Sequence, residues 1–481
     1  MGSIAVAGIG GALVIMIAAT VLRQDWMYPT LRLPAFGFPF AAVGVPMPRL
    51  VVVLALWLSA VLAAVGIAAG LVAARRGARP PMRLILIGAA IVIVVLAILP
   101  PAGSTDVLDY ASYGRLLVLG HNPYVVPPHL LRVSDPGFGA QVPWRWQQQV
   151  SLYGPLATFE QYAAAKLGGD TPARIVFWLK LWNAIAFGAV ALIADRLLAS
   201  DPARRLRAHL LWTLNPLLLW GLIAAGHLDA LAAAAGLLSL LVLGAPAAAG
   251  RPTLLRAAAA GVLLGAAGDI KINYLAFGLG LAWALRRRPA GLLAAAAGAL
   301  VVLVPTYAAF GKVALTDLFA RRDTSAVDSF YRLGGLNALH GVGLAAAVLV
   351  VGLALLLLWR MPPDDILRPA LRPALAVSLA WLVMWPYQLP WYDAMAFCLL
   401  LLYPASWLDF LVIARLAIAT MANLPGNGAA PTGHGLAVLD KLIVHAAAPL
   451  TLLACAIWLV AMAVTGRWGN VGAVGGPQAY D

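Results

Sequence analysis

The segment from Ser104 to Tyr124 has the sequence STDVLDYASYGRLLVLGHNPY and is the first strongly polar stretch after a long, mostly apolar N-terminal part. Ser104 and Thr105 are residue types that commonly cap the N-terminus of a helix. Gly120 suits the end of the same helix, and Asn122 followed by proline predicts a turn. The segment therefore predicts one helix that ends shortly before Tyr124.

Helical spacing divides this segment into two faces. One face carries Asp106, Asp109 and Tyr113. The opposite face is apolar and consists of Val107, Ala111, Gly114 and Val118. This pattern predicts an amphipathic helix that lies on an apolar layer. Asp106 stands where a helix dipole stabilises an ionised carboxylate, although the helix pattern alone is equally consistent with a capping role.

Composition identifies the apolar layer as a membrane. The 481 residues are 63% hydrophobic and only 11% charged, whereas soluble domains are roughly 45–50% apolar. The sequence therefore predicts an all-α, polytopic membrane protein. A net charge of +14 is attributed to lysine and arginine at the membrane faces rather than to nucleic-acid binding. Cys398 and Cys455 both lie in apolar runs, which excludes a disulfide framework or a cysteine-based metal site.

Apolar runs of about the length that crosses a bilayer, roughly 20 residues, predict about thirteen transmembrane helices. The runs fall near residues 4–22, 50–73, 83–99, 173–198, 207–224, 228–244, 254–268, 272–285, 289–310, 340–359, 372–387, 392–413 and 442–465. The pair 254–268 and 272–285 is short, and two half-crossings would explain it as well as two full ones.

The positions of the basic residues predict the orientation of the chain. Arginine clusters in the short connections near residues 75–83, 196–207, 286–288 and 360–372 indicate the cytoplasmic face, since positive charge is retained inside. The same alternation assigns Arg415 and Lys441 to the inside. This places the N-terminus in the cytoplasm and the polar segment around Asp106 on the outer face of the plasma membrane.

The predicted organisation is one membrane domain over residues 1–466. Residues 100–172 form a first outer loop that is too long for a simple connector, and residues 311–339 form a second outer loop. Residues 414–440, rich in glycine, proline and asparagine, predict a flexible cytoplasmic loop. Residues 467–481 predict a disordered tail.

Several short blocks of sequence resemble one enzyme family. The blocks are Asp106-Val107, Tyr110, Tyr113-Gly114, Gly120, Asn122-Pro123-Tyr124, Tyr153-Gly154-Pro155 and the sequence GHLDAL from Gly226 to Leu231. They resemble the actinobacterial polyprenyl-phosphate-mannose-dependent α-mannosyltransferases, which have the GT-C fold. The resemblance implies a GT-C membrane enzyme whose catalytic base is the aspartate of the first outer loop, here Asp106.

The chemistry of such a transfer requires few groups. A general base must accept the proton of the acceptor hydroxyl, and positive charge must face the departing phosphate, which is a good leaving group without a separate acid. Asp106 is the predicted base, and Asp109 is the alternative or its hydrogen-bonding partner. His227 and Asp229, with Tyr110, are predicted to orient the acceptor or the Asp106 carboxylate.

Basic residues on the outer face are candidates for binding the donor phosphate. Lys271 is the strongest, because a charge that interrupts an apolar pair of helices is costly and usually functional. The other candidates are Arg115, Arg321, Arg322 and Arg332. Residues predicted to contact sugar or lipid are Tyr113, Asn122, Tyr124, Tyr153, Gln388 and Trp391.

The sequence thus predicts an inverting transferase that moves a hexose, most simply mannose, from a polyprenyl-phosphate donor to a glycolipid or glycan acceptor at the outer face. No cofactor and no metal are expected, because the chain has neither a nucleotide-binding glycine loop nor an Asp-x-Asp pair. The alternatives are a transporter or flippase for a lipid-linked sugar, a GT-C enzyme that uses another sugar, and an inactive relative that scaffolds a partner.

Overall fold

The computed structural model describes residues 1–22, 31, 39–40, 45, 47–144, 146–244, 253–321, 323–338, 340–363, 366–367, 369–424 and 434–469. Within these residues the protein is all-α, and no strand occurs.

The described residues up to Phe310 contain fourteen α-helices, joined by short 3₁₀ and π segments. They are α1 (Gly2–Val21), α2 (Arg49–Arg75), α3 (Met82–Ile98), α4 (Asp106–Val118), α5 (Leu131–Ser134), α6 (Pro136–Gly139), α7 (Pro155–Gly168), α8 (Pro172–Leu197), α9 (Pro202–Leu211), α10 (Pro216–Leu218), α11 (Asp229–Gly244), α12 (Leu254–Ile270), α13 (Gly278–Leu285) and α14 (Pro289–Phe310). The intervening segments are 3₁₀ at Pro128–Leu130 and Ile272–Phe277, and π at Leu219–Ala224.

The C-terminal part continues with seven α-helices in the described residues. They are α15 (Val313–Ala320), α16 (Val342–Arg360), α17 (Leu371–Met384), α18 (Ala394–Leu400), α19 (Leu408–Asn423), α20 (His434–Leu442) and α21 (Ala448–Thr465). Helical turns of 3₁₀ type occur at Phe330–Ala338 and Pro390–Asp393, and a π segment at Ile443–Ala447 joins the last two helices.

The helices have the character of a multi-pass membrane protein. Six of those described are long and apolar enough to cross a bilayer, and the pair Pro202–Ala224 and Asp229–Gly244, bent by 113°, would make a seventh. Three more apolar helical stretches are shorter, Met82–Ile98, Ile272–Leu285 and Leu371–Met384. The expected number of thirteen crossings is therefore not confirmed. Several apolar runs form short or broken helices instead of full-length spans.

Glycines allow the closest contacts between helices. The α-carbons of Gly8 in α1 and Gly66 in α2 lie so near that a Cβ on Gly8 would come within 2.7 Å of Gly66. Gly261 in α12 and Gly298 in α14 contact the backbone of the facing helix in the same way. Small residues of this kind let helix backbones approach in a lipid environment, where van der Waals packing drives association.

One end of the bundle is held together by arginines, and we call it the arginine end. Arg207 donates to both carboxylate oxygens of Asp409 at 2.5 and 2.8 Å. It also donates to the carbonyl oxygens of Leu400 and Tyr403. Arg75 binds Asp409 and the carbonyl oxygen of Ser406. These contacts satisfy the backbone of the turn between α18 and α19, which would otherwise be unpaired within the membrane.

Three predictions from the sequence are wrong in this region. The apolar run 392–413 is not one crossing, because the chain reverses near Pro404 and returns as α19. Residues 414–423 are therefore helical and do not belong to a loop, and residues 434–440 lie in α20. Arg415 is not at a cytoplasmic surface either: it is buried and paired with Asp393. Residues 425–433 of the predicted loop and 470–481 of the tail lie outside the described residues.

Helix α4 is more deeply buried than an amphipathic surface helix. Val107 on its apolar face and Asp109 on its polar face are both buried, with 0% and 5% exposure. The reason is that the loop of residues 100–172 folds over the polar face: α4 packs against α7, and the Tyr113 hydroxyl donates to the carbonyl oxygen of Gln149 at 2.9 Å. The predicted helix is confirmed, but its predicted position on a surface is wrong.

The second helix of this loop rests directly on the bundle. Helix α7 begins at Pro155, as predicted, immediately after Gly154. A Cβ at Gly154 would overlap the carbonyl oxygen of Asp269, near the end of α12. Glycine therefore permits a contact between backbones that fixes Tyr153 beside the end of α12.

Candidate active site

The backbone at the start of α4 places Asp106 at the first position of the helix. Thr105 occupies the cap position, and the Ser104 hydroxyl accepts the Asp106 N–H at 3.2 Å. Gly103 precedes them with φ +93°, and a Cβ there would overlap the Trp220 indole. Since Ser104 and Thr105 take the capping positions, the Asp106 carboxylate is not the cap, and the helix dipole stabilises its charge.

Asp106 faces a histidine and two tyrosines. Its carboxylate oxygen Oδ2 lies 3.8 Å from Nδ1 of His227, and its side chain is 14% exposed. The Tyr110 hydroxyl lies 3.1 Å from the same histidine nitrogen and 3.1 Å from the Tyr153 hydroxyl. Burial, followed by the neighbouring phenol and the Asp106 charge, raises the pKa of Tyr110 well above its usual range. Both phenols therefore stay protonated at neutral pH and can donate.

His227 is held between α4 and the Pro390–Asp393 turn. Its ring stacks on the Trp391 indole with centroids 3.5 Å apart and an interplanar angle of 14°. The side chain is fully buried, and Nε2 has no hydrogen-bond partner among the described residues. Gly226, which precedes the histidine, has φ +75°, and a Cβ at this position would come within 2.8 Å of the Val107 side chain.

A buried ion pair completes the group of side chains formed by Asp106, Tyr110, Tyr153 and His227, which we call the Asp106 cluster. Lys271, in the break after α12, places Nζ 2.7 Å from each carboxylate oxygen of Asp229. The same ammonium lies 3.6 Å from the centroid of the Tyr392 ring, and the Tyr274 hydroxyl donates to the Asp229 carbonyl oxygen at 3.2 Å. The negative charge of Asp106 also interacts electrostatically with the Lys271 ammonium, so the ion pair belongs to the same site.

Asp109, the alternative base, has a different environment. It is 5% exposed, and its Oδ1 has no hydrogen-bond partner among the described residues. Burial, and secondarily the Asp106 charge, raises the pKa of the Asp109 carboxyl well above its usual value. At 5% exposure the Asp109 carboxyl is also less accessible to an acceptor hydroxyl than the Asp106 side chain, which is 14% exposed. The geometry therefore favours Asp106 over Asp109.

This difference predicts a pH-dependent stability effect. A folded-state pKa above the unfolded value of about 3.9 means that Asp109 contributes most to stability at low pH, and that this contribution is lost as pH rises through the folded pKa. We expect Asp109→Asn to melt higher than wild type at pH 8, with the difference shrinking toward pH 4. Thermal melts of both proteins across this range test it. A melting difference that does not change with pH would contradict a raised pKa.

Comparison with known proteins gives the family. A family profile described as "Alpha-(1->6)-mannopyranosyltransferase, N-terminal domain" matches residues 5–287, more than half of the chain. The chain belongs to the α-(1→6)-mannopyranosyltransferase family. The matched region contains Asp106, His227, Asp229 and Lys271. The resemblance noted from the sequence is thereby confirmed at the level of the mannosyltransferase family.

Individual proteins match the chain over only part of its length or at low sequence identity. A probable α-(1→6)-mannopyranosyltransferase of Mycolicibacterium smegmatis is 32% identical over 138 residues, which is 29% of this chain and only 25% of that protein. Among solved structures, ArnT from Cupriavidus metallidurans, bound to undecaprenyl phosphate, aligns with a TM-score of 0.43 and 17% identity over 82% of this chain and 77% of ArnT.

Not all of the predicted site residues come together. Arg115 pairs with Asp135 at 2.7 Å, and Arg332 donates to the Ala326 carbonyl oxygen. Arg321 donates to the Gln149 side chain, and Arg322 lies outside the described residues. Of the predicted phosphate ligands, Lys271 is the one whose contacts in the described structure link it to Asp106.

Three of the predicted sugar contacts support the loop instead. Tyr113 binds the carbonyl oxygen of Gln149, and the Asn122 side chain accepts the Tyr124 N–H at 3.0 Å. The Tyr124 hydroxyl donates to the Tyr153 carbonyl oxygen at 2.7 Å. Tyr153 and Trp391 do belong to the cluster. Gln388 lines a separate cleft.

Tyr392 and Tyr274 contact the Asp229–Lys271 pair, although the sequence predicted no specific site role for them. Tyr392 follows Trp391 directly, so its position in the same aromatic segment was a signal that could have identified it as a site residue. Among the described residues, no group of three or more His, Cys, Asp or Glu side chains is arranged to hold a metal ion.

Proposed function

We propose that this mannosyltransferase transfers mannose from a polyprenyl-phosphate donor to a glycolipid or glycan acceptor at the outer face of the plasma membrane, with Asp106 as the general base. The observation that carries the proposal is the contrast among the cluster's carboxylates. Asp229 is bound by Lys271 through both oxygens, and Asp109 is buried. The Asp106 side chain is 14% exposed and lies beside the protonated phenols of Tyr110 and Tyr153.

The reaction needs one base and one displacement. Asp106 accepts the proton of the acceptor hydroxyl as its oxygen forms a bond to the anomeric carbon, and the bond from that carbon to the phosphate oxygen breaks. A β-linked donor would give an α-linked product by inversion. His227, fixed by Trp391 and Tyr110, holds the Asp106 carboxylate in position.

Lys271 is proposed to face the departing phosphate. Its ammonium has three donors, two of which are directed at Asp229. The Asp229 contact therefore holds the cation in place, and as negative charge develops on the lipid phosphate the ammonium stabilises it. The contact with the Tyr392 ring restricts the ammonium to the same position.

The direct test is a transfer assay with purified protein in lipid nanodiscs. Polyprenyl-phosphate mannose and a mannose-containing membrane glycolipid are incubated with the protein, and the lipids are analysed by mass spectrometry. The expected result is a glycolipid heavier by one hexose, with loss of the lipid-linked donor. Movement of unmodified donor between the leaflets without a hexose increment would support the transporter alternative and overturn the proposal.

Orientation is tested by cysteine labelling. Ser134, in the first outer loop, and Ala203, at the arginine end, are both exposed, whereas the native Cys398 and Cys455 are buried. We expect Ser134→Cys to react in intact cells with an impermeant thiol reagent, and Ala203→Cys to react only after permeabilisation. The reverse pattern would place the Asp106 cluster in the cytoplasm.

A further inference from the structure

Lys180 is a fully buried lysine that the proposed mechanism does not use. It lies within α8, which is long and apolar enough to cross the membrane, and the residue is 0% exposed. An ionisable side chain in such a helix is costly, usually pairs with another polar group, and usually serves a function. The contacts of the Lys180 side chain indicate what that function is.

The Lys180 amino group binds the segment that leads into α4. Nζ donates to the carbonyl oxygen of Leu99, the residue at the C-terminal cap of α3. It also lies 5.3 Å from the centroid of the Phe40 ring, which fixes the amino group from another side. Carbonyl groups at the end of a helix have no partner within that helix. The lysine therefore satisfies a backbone group that an apolar layer would otherwise leave unpaired.

The connection from Leu99 to Asp106 is short and is held at two further points. It consists of residues 100–105. The Ala102 N–H donates at 3.1 Å to the last carbonyl oxygen of the π segment Leu219–Ala224. A Cβ at Gly103 would overlap the indole of a tryptophan in the same π segment. The bond from the lysine is thus one of three contacts that fix the path of the chain into the catalytic aspartate.

The methylene stem of the same lysine lies against the residue that precedes His227. A Cβ at Gly226 would come within 3.1 Å of Lys180 Cγ and within 2.8 Å of the Val107 side chain. Val107 directly follows Asp106 in the sequence. The lysine stem and the neighbours of Asp106 and His227 therefore meet at one point. The two functional side chains themselves are 3.8 Å apart, measured from Oδ2 to Nδ1.

We propose that Lys180 is a positioning residue, which sets the distance between Asp106 and His227 by fixing the chain beside both. The proposal rests on the proposed function, in which His227 holds the Asp106 carboxylate. Because Lys180 is fully buried, it acts through these two residues and not on the substrate. A catalytic group that is misplaced by about 1 Å can cost roughly a hundredfold in rate. Loss of Lys180 should therefore slow the chemical step and leave substrate binding intact.

Lys180→Met tests the proposal in the transfer assay, because methionine has nearly the same length but no donor. In full-length protein in nanodiscs, kcat should fall by about tenfold to a hundredfold, while the KM values for polyprenyl-phosphate mannose and the glycolipid acceptor change by less than about twofold. Lys180→Gln, which retains an N–H donor, should give a kcat between those of Lys180→Met and wild type. Tyr403→Phe is the matched control. It removes a buried donor to the Pro362 carbonyl oxygen at the arginine end and should keep the wild-type kcat.

Hydrogen exchange measured by mass spectrometry reports on the same position without any need for activity. In Lys180→Met, the amides of residues 99–110 and 224–228 should exchange faster than in wild type, because local opening becomes easier where a contact is lost. Exchange in α21 should not change. In Tyr403→Phe, faster exchange should be confined to the arginine end.

The outcomes separate this inference from the proposed function. Faster exchange confined to residues 99–110 and 224–228 would support the positioning role even if sugar transfer were never observed. Unchanged exchange in these segments, or an equal increase throughout the chain, would overturn it. A wild-type kcat in Lys180→Met would overturn it as well, and so would raised KM values, which would place Lys180 in substrate binding. If Lys180→Met fails to insert, the comparison of Lys180→Gln with wild type decides by the same criteria.

Discussion

Asp106→Asn is expected to reduce the rate of transfer by roughly two to four orders of magnitude, the usual contribution of a general base. Asparagine preserves the size of the side chain but cannot accept the acceptor's proton. Because Ser104 and Thr105 occupy the capping positions, the variant should fold and insert normally. Single-turnover transfer and a thermal melt on the same preparation measure both properties.

Asp109→Asn is the matched control, one helical turn away. It should retain most of the transfer activity, because the Asp109 carboxyl is buried, at 5% exposure, and its raised pKa favours the protonated form. A well-folded Asp106→Asn protein with full activity would remove Asp106 from the mechanism. The His227 and Asp229 pair would then be the next candidate for proton acceptance.

Lys271→Ala is expected to produce the second largest effect, with two components. Removing the ammonium leaves the Asp229 carboxylate buried and unpaired, which costs about 3–5 kcal/mol of stability. Loss of the charge opposite the leaving phosphate costs about 2–4 kcal/mol in the transition state. Denaturation midpoints and transfer rates should therefore both fall.

A double variant separates the two components. Asp229→Asn with Lys271→Met removes both charges, so the penalty of an unpaired carboxylate disappears and much of the stability should return. Transfer should remain low, because the phosphate still lacks its cation. Recovery of wild-type transfer in the double variant would show that Lys271 serves as the counter-ion of Asp229 and makes no contact with the donor phosphate.

The sequence predicted most helices well because each depends on its own length and composition. It failed at residues 392–413, where an apolar run contains a reversal. The carbonyl oxygens of that turn are satisfied by Arg204 and Arg207, which precede it by almost two hundred residues. Hydropathy measures only local composition, so it could not detect a turn whose backbone partners come from distant helices.

The site was predictable to the extent that polar residues interrupt apolar sequence. Asp106, His227 and Lys271 stand out for that reason, and the structure brings them together. The ion pair of Lys271 with Asp229 and its contact with Tyr392 were not predictable, because they depend on the relative positions of α11, α12 and the Pro390–Asp393 turn. The pairing of Arg115 with Asp135 was not predictable either, because Asp135 becomes a neighbour only when the loop folds back.

The backbone contact at Gly154 has a consequence for engineering. Because a Cβ there would overlap the Asp269 carbonyl oxygen, the loop of residues 100–172 and the end of α12 are matched surfaces rather than exchangeable modules. A chimera that receives residues 100–172 from another member of the family should assemble only if the donor loop also has glycine at the position of Gly154. When that glycine is missing, the end of α12 from the donor protein would have to be transplanted together with the donor loop.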